Sequence, residues 1–394
     1  MARPIDVAPS GPLALPITGL GRGWEAFALM ALTVILLSLG LVALYSASHQ
    51  LAQRQMLPDY YYVLRQAMGA TIGLGVLVFC AWLPHDFWQH LAWPMIIIVW
   101  LFLIVLVIPG TEAIAPEING SRRWLRIGIN IQPSEIAKVA VIVWTASLAV
   151  RKQDYFRSFK RGFVPFLAVW GAVMLPIALE PDFMTALLIG VLGILVVFAA
   201  GARFAHFIFI ALLMAPLLWQ QLNESFRIDR IKSFFDPSID PAGAGFQVRQ
   251  SLLALGSGGI AGVGPGQGRQ KFGFLPEAHN DFIFSMIGEE WGFIGVMVIV
   301  ILYLLMVLVG FRVASRVPDL FGKLLATGIT SMIGLQAFLH MSVGLKLMPP
   351  TGLALPLISY GRSNLLVTLA ALGILMSISR ACERPIRGVR RAIA

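Results

Sequence analysis

Charge is what this sequence has least of. Only 13% of its 394 residues are charged, whereas a soluble globular chain carries about 25%. That scarcity, with 58% hydrophobic residues and a mean hydropathy of +0.80, excludes a soluble globular protein. Cysteine is almost missing as well. Cys80 lies in an apolar run and Cys382 in the basic tail, far apart in sequence and depth, so no disulfide is expected. The six histidines, at 49, 85, 90, 206, 279 and 340, show no metal-ligand spacing, and no metal ligand is assigned from them. Residues 1–23 lack the apolar core of a cleavable signal, and the first apolar run is long enough to span a membrane. Gly264, Gly266 and Gly268 follow no strand and precede no Gly-Lys-Ser, which excludes a nucleotide loop and predicts a flexible one. There is no nucleophile elbow, no solenoid repeat and no nucleic-acid module. The net charge of +10 therefore points to anionic lipid or phosphate as a partner.

What is present is a series of apolar runs of roughly 20 residues, the length that crosses a bilayer as a helix. The reading is an all-α integral membrane protein with about ten transmembrane helices. The spans fall near 24–46, 63–83, 88–108, 133–150, 163–179, 183–200, 203–222, 281–310, 320–345 and 365–379. Residues 1–23 read as a disordered cytoplasmic start, 24–380 as one polytopic domain, and 381–394 as a basic cytoplasmic tail. The basic run Arg151–Arg161, Arg312, Arg316, Lys323 and the tail arginines place both termini inside by the positive-inside rule. One large extracytoplasmic loop, 223–280, then separates spans seven and eight. Many cations are left facing outward: Arg122, Arg123, Arg126, Arg227, Arg230, Lys232, Arg249, Arg269, Lys271, Lys346 and Arg362. As a set they suit an anionic headgroup or a pyrophosphate, although long loops also cross regardless of charge.

The stretch Phe235–Glu290 interrupts the apolar sequence and ends on an acid, Asp281, at the lip of span eight. A carboxylate there is costly unless paired, hydrated or used. Two readings stand side by side: a general base whose pKa is raised by an apolar setting, and an N-cap for span eight. Glu289 lies roughly 12 Å further along the same helix, too far for an adjacent carboxylate pair. Glu289 and Glu290 face different ways, and a structural salt bridge to one of them, with Lys138 as candidate partner, is the favoured reading. Glu135 and Lys138, spaced i,i+3, are able to pair, and Ser134 reads as the N-cap of span four. Phe246–Leu255 reads as a short amphipathic helix stopped by Gly256. His340 reads as a packed polar residue. The Pro349-Pro350-Thr351-Gly352 segment is either a rigid loop or one wall of a headgroup site.

Five motifs in order then resemble one family. They are Gly120-Ser121-Arg122-Arg123-Trp124 with Gln132-Pro133-Ser134-Glu135 through Lys138; Glu180-Pro181-Asp182; Gln250-Ser251-Leu252 through Gly259; Leu275-Pro276-Glu277-Ala278-His279-Asn280-Asp281-Phe282; and Pro350-Thr351-Gly352 through Ser359-Tyr360-Gly361. Together, over 24–380, they resemble the SEDS family of peptidoglycan polymerases typified by FtsW and RodA. The form Pro-Glu-Ala-His with Gly288-Glu289-Glu290 is more similar to the division branch, FtsW. The resemblance implies the SEDS-type fold, an extracytoplasmic site, and lipid II (a disaccharide-pentapeptide on undecaprenyl pyrophosphate) as substrate. It implies Asp281 as the catalytic base. Glu277, His279, Ser359 and Lys138 enter the substrate-binding set with Arg122, Arg123, Lys346 and Arg362. The expected partners are the nascent glycan chain, a class B penicillin-binding protein and other division or elongation proteins. No cofactor is certain; a divalent cation, Mg or Mn, is the one left open. Two positions depart from the family pattern: Asn280 stands where Thr is usual, and Gly361-Arg362-Ser363-Asn364 replaces Gly-Gly-Ser-Ser. The cation at 362 either binds pyrophosphate or restricts its loop. A lipid II flippase, with no bond chemistry, is the alternative function; a pure scaffold leaves Asp281 unexplained.

Overall fold

The computed structural model describes residues 23–117, 121–127, 129–156, 158–180, 182–203, 206–208, 234–235 and 243–382. Most of expected span seven, Arg227, Arg230, Lys232, Pro181, Gly120 and the tail arginines beyond 382 lie outside these residues, as does the expected N-terminal disorder.

The helices are α1 (Trp24–Arg54), α2 (Tyr61–Trp82), α3 (His85–Val107), α4 (Pro133–Lys152), α5 (Val164–Leu179), α6 (Phe183–Ala199), α7 (Ala244–Gly258), α8 (Ile283–Arg316), α9 (Leu320–Gly344) and α10 (Arg362–Ala381). Eight stretches of the described chain are long and apolar enough to cross a membrane, and α6 adds a shorter apolar helix. A hydrocarbon interior offers the backbone no water, so each crossing segment satisfies its own N–H and C=O groups as a helix. The all-α membrane fold is thus the observed one. A small addition was not expected: β1 (Leu125–Ile127) pairs antiparallel with β2 (Ile129–Ile131) in the loop before α4.

Helix α4 sits at the centre. Its apolar window is 83% buried, against 28% for α3 at the periphery. Burial explains why α4 carries paired polar groups: Lys138 Nζ lies 2.7 Å from Glu135 Oε2, the pairing expected from their spacing, and Asn364 Nδ2 donates to the same oxygen at 2.8 Å. Ser134 is not the N-cap of α4. Pro133, with its φ already helical, starts the helix one residue earlier, and Gln132 is the cap; Ser134 Oγ accepts from Gln132 Nε2 instead.

The bundle has two distinct ends. At one, Glu25 holds Arg312 and Arg316, and His85 Nε2 lies 2.9 Å from Asp319 Oδ1 and 3.2 Å from Asp86 Oδ1. Asp319 Oδ2 also caps α9 by accepting from Gly322 N–H. The histidine reading from sequence did not find this cluster, because Asp319 is 234 positions from His85. At the other end lie the hairpin, the α5–α6 turn, α7 and Asp281.

Helix α8 is broken near its start. Gly292 has φ 67° and ψ −165°, a conformation that needs glycine. The break frees carbonyls, and the glycine-rich chain after α7 takes them: Val263 N–H donates to Glu289 O at 3.0 Å and Gly264 N–H to Glu290 O at 3.1 Å. In return Phe293 and Ile294 N–H donate to Gly259 and Ile260 carbonyls. A side chain at Gly258 or Gly262 would strike the backbone of α8. Helix α7 runs past Gly256 to Gly258, and Gly259, at φ 54°, turns the chain out of it.

Candidate active site

The glycine loop is not the flexible connection expected from sequence. Glu290 Oε2 accepts from Gly266 N–H at 3.0 Å, and Glu289 Oε1 accepts from Arg269 N–H at 2.7 Å. The backbone N–H groups that might have cradled a foreign anion cradle the chain's own carboxylates. Lys271 Nζ pairs with Glu290 Oε1 at 3.0 Å, both side chains nearly fully buried, and Ser46 Oγ on α1 donates to that same oxygen at 2.5 Å. The salt bridge expected for one of these acids is therefore real, but its partner is Lys271; Lys138 is engaged by Glu135 on α4. Arg54 adds a bond to Phe272 O.

From this anchored loop the chain turns through Glu277, at φ 53°, into Asp281, whose N–H donates to Glu277 O at 3.0 Å. The cap of α8 is Phe282, with no side-chain cap bond, so Asp281 is not an N-cap. Its carboxyl side chain lines a cavity. That cavity, about 340 Å³, is lined by Gln247 of α7, Glu277, Asp281 and Phe282, His340 and Val343 of α9, and Pro350–Leu353. Pro350 to Gly352 is a wall of this site, and Gly352, at φ 69°, lies close enough that a Cβ there would come 3.9 Å from Asp281 Oδ2.

Hydrogen bonds from one distant segment, 355–361, fix the stretch leading into Asp281, and α2 braces that segment. Ser359 Oγ donates to Asn280 O at 2.7 Å and accepts from Leu355 N–H at 2.9 Å. Tyr360 N–H donates to His279 O at 3.2 Å. Gln66 of α2 donates to Ser359 O at 3.0 Å and accepts from Gly361 N–H at 3.3 Å. The His279 ring packs between Tyr62 and Tyr360, at centroid distances of 5.4 and 5.7 Å. Burial holds its imidazole below the ordinary value, with the Glu277 carboxylate opposing. His279 is therefore a neutral ring at pH 7.

Of the residues singled out from sequence, Asp281 and Glu277 line the cavity, and His279 and Ser359 support it. Lys346 follows α9 in a left-handed turn at φ 54°, three residues past Val343 of the lining. Arg122 Nη2 pairs with Glu112 at 2.8 Å. Arg123 Nε donates to Glu180 O at 3.2 Å, in the α5–α6 turn. Lys138 is buried on α4. Arg362 opens α10. Gln66, Tyr62 and Gln247 were missed; His340, read as a packed polar residue, is buried as expected and also lines the cavity. Its Nδ1 lies 2.8 Å from Leu353 O and fixes the ring against the wall.

Beside Arg123, Glu180 is 4% exposed and both its carboxylate oxygens lack a hydrogen-bond partner among the described residues. Burial, then the neighbouring Asp182, pushes its pKa up to about 8, with Arg123 opposing. Asp182 is raised by burial too.

These features define a multi-span helical membrane protein with an acid-bearing polar cavity at one end of its bundle. The FTSW_RODA_SPOVE model, described as a cell cycle protein, matches residues 27–384. The chain is 40% identical over 353 residues to a probable peptidoglycan glycosyltransferase FtsW of Geobacter sulfurreducens, covering 89% of this chain and 94% of that one. It is 40% identical over 356 residues to stage V sporulation protein E of Bacillus subtilis, covering 89% and 96%. Among solved structures, a chain of a peptidoglycan synthase complex, described as coordinating polymerization and crosslinking, aligns with TM-score 0.75 at 29% identity, covering 91% and 98%. The rod shape determining protein RodA of Thermus thermophilus aligns with TM-score 0.67 at 28% identity and the same coverages. The chain belongs to the FtsW/RodA/SpoVE family.

Proposed function

We propose that this protein is a peptidoglycan glycosyltransferase that polymerises lipid II into glycan strands at the outer face of the cytoplasmic membrane, in septal wall synthesis. The observation that carries the reading is the Asp281 carboxylate in a cavity walled by Glu277 and Pro350–Leu353. The septal role follows the FtsW relatives and the Pro276-Glu277-Ala278-His279 form.

In the proposed reaction Asp281 accepts the proton of the GlcNAc 4-hydroxyl of one lipid II. That oxygen forms a bond to the MurNAc anomeric carbon of the growing chain. The bond from that carbon to the pyrophosphate oxygen breaks, with inversion, and the electron pair leaves on undecaprenyl pyrophosphate. Departing negative charge calls for positive charge already in place. Arg122, Arg123, Lys346 and Arg362 are proposed to supply it. Glu277, His279 and Ser359 are proposed to shape the substrate pocket around Asp281, and Lys138 to act from α4. A divalent cation, Mg or Mn, is proposed only as an aid to that charge; strand synthesis that survives chelation removes it. A class B penicillin-binding protein is the proposed partner, supported by the likeness to a chain of a peptidoglycan synthase complex. Division or elongation proteins are proposed to join it.

The test is strand synthesis from purified lipid II, with the cognate transpeptidase present, by wild type and Asp281→Asn. Long strands from wild type and none from a folded variant are expected. Equal activity in both sinks the mechanism. Vesicle transport of lipid II without strands would favour the flippase.

A further inference from the structure

The seam between α2 and α10 carries two cations that make no ion pair with a carboxylate among the described residues. Arg362 is half-buried at the first turn of α10. Arg65 is half-buried on α2, its guanidinium over the Tyr61 ring at 4.6 Å. Among the described residues the ion pairs at this end are His49–Asp59, Arg122–Glu112, Lys138–Glu135 and Lys271–Glu290, and neither arginine is in them. Glu277 lies close enough to act on Tyr62 and His279.

The two arginines share one face of the seam. Arg65 and Gly69 are one turn apart on α2. A Cβ at Gly69 would stand 3.4 Å from Arg362 Cγ, so the bare glycine lets the Arg362 stem lie against α2 beside Arg65. Next to them runs a strip of exposed apolar side chains, Leu64, Met68 and Ile72. Two half-buried cations on packed helices at a membrane face are costly until an anion joins them. A guanidinium grips phosphate oxygens through two parallel bonds, and two guanidiniums match two linked phosphates. The strip beside them suits a hydrocarbon chain continuous with those phosphates.

We propose that Arg65 and Arg362 hold the pyrophosphate of a polyprenyl-linked ligand whose chain lies along the Leu64–Met68–Ile72 strip of α2. The proposal rests on the polymerase reading for the identity of the ligand, and adds to it a residue, Arg65, and a side of the bundle. The station belongs to the same bonded unit as the base: Gly361 N–H reaches Gln66, Gln66 reaches Ser359 O, and Ser359 Oγ reaches Asn280 O, next to Asp281.

The experiment measures undecaprenyl pyrophosphate binding to the full chain in phosphatidylcholine nanodiscs, which needs no turnover. Arg65→Gln and Arg362→Gln should each weaken binding about tenfold, as loss of one charge-assisted contact does. The double variant should lose more, and Arg65→Lys should recover part of the loss. kcat/KM for lipid II should fall about tenfold in Arg65→Gln and partly recover in Arg65→Lys. Undiminished binding by a folded double variant overturns the proposal. So does phosphatidylglycerol competing as well as the pyrophosphate, which would make this a bulk-lipid contact. Arginine-dependent binding in a protein that makes no strands would sink the polymerase reading and leave this site standing.

Discussion

A buried acid without a hydrogen-bond partner is a pH sensor whether or not it serves catalysis. Glu180 in the folded protein titrates near 8, against 4.5 for an ordinary glutamate. Below about 4.5 the group is neutral in folded and unfolded chains alike, and it costs nothing. Between the two values the unfolded chain gives up the proton while the folded one keeps it. Stability therefore falls as pH rises through this window and levels off above 8. Glu180→Gln should unfold near wild type at pH 5 and be more stable by a few kcal/mol at pH 8, read as thermal unfolding in detergent at both pH values. A difference that does not change with pH would mean the folded protein holds Glu180 ionised. At this scale the sequence was informative where chemistry is costly. Asp281 stood out because a carboxylate at a helix lip demands a reason. Gln66 and Tyr62 did not, because a glutamine and a tyrosine near an interface are ordinary until their partners, some 293 positions away for Gln66, are known.

Elements were legible in type and less so in extent. The apolar runs mark the helices, yet α1 continues to Arg54 and α8 to Arg316, past the residues where hydropathy falls. Intrahelical hydrogen bonds continue where the membrane ends. The break at Gly292 was not visible, since one glycine in an apolar helix is usually tolerated. The role of Glu289 and Glu290 was half visible: their cost was evident and Lys271 was not. That pair gives a clear expectation. Lys271→Met or Glu290→Met alone leaves a buried charge and should cost about 3–5 kcal/mol, while the double Met variant should recover most of it. Thermal unfolding of the three variants decides it; a double variant as unstable as the sum of the singles would show that the loop is held by the individual contacts to Ser46 and the backbone.

For the whole molecule, the two ends of the bundle set up a test of orientation. Phe274 is 54% exposed on the anchored loop, and Cys382 lies at the opposite end beside Val313. In intact cells an impermeant maleimide should label Phe274→Cys at once, and Cys382 only after permeabilisation. The reverse pattern would invert the proposed topology. The order of the helices along the membrane could be drafted from sequence; which helices touch could not. Among the described helices the most extensive packing is that of α2 with α10, far apart in sequence.

That partnership has a consequence in time. Gln66 cannot meet Ser359 until 293 further residues have been made. At about 5–20 residues per second the wait is roughly 15–60 s. Through that interval the glycine face of α2 lacks α10, and the Asp281 stretch, when it arrives, has Tyr62 beside it but lacks its bonds to Ser359 and Tyr360. The cavity cannot take this form before residue 359 has been made, so a chain cut short of it is inert, and assembly of α10 is the step that arms the molecule.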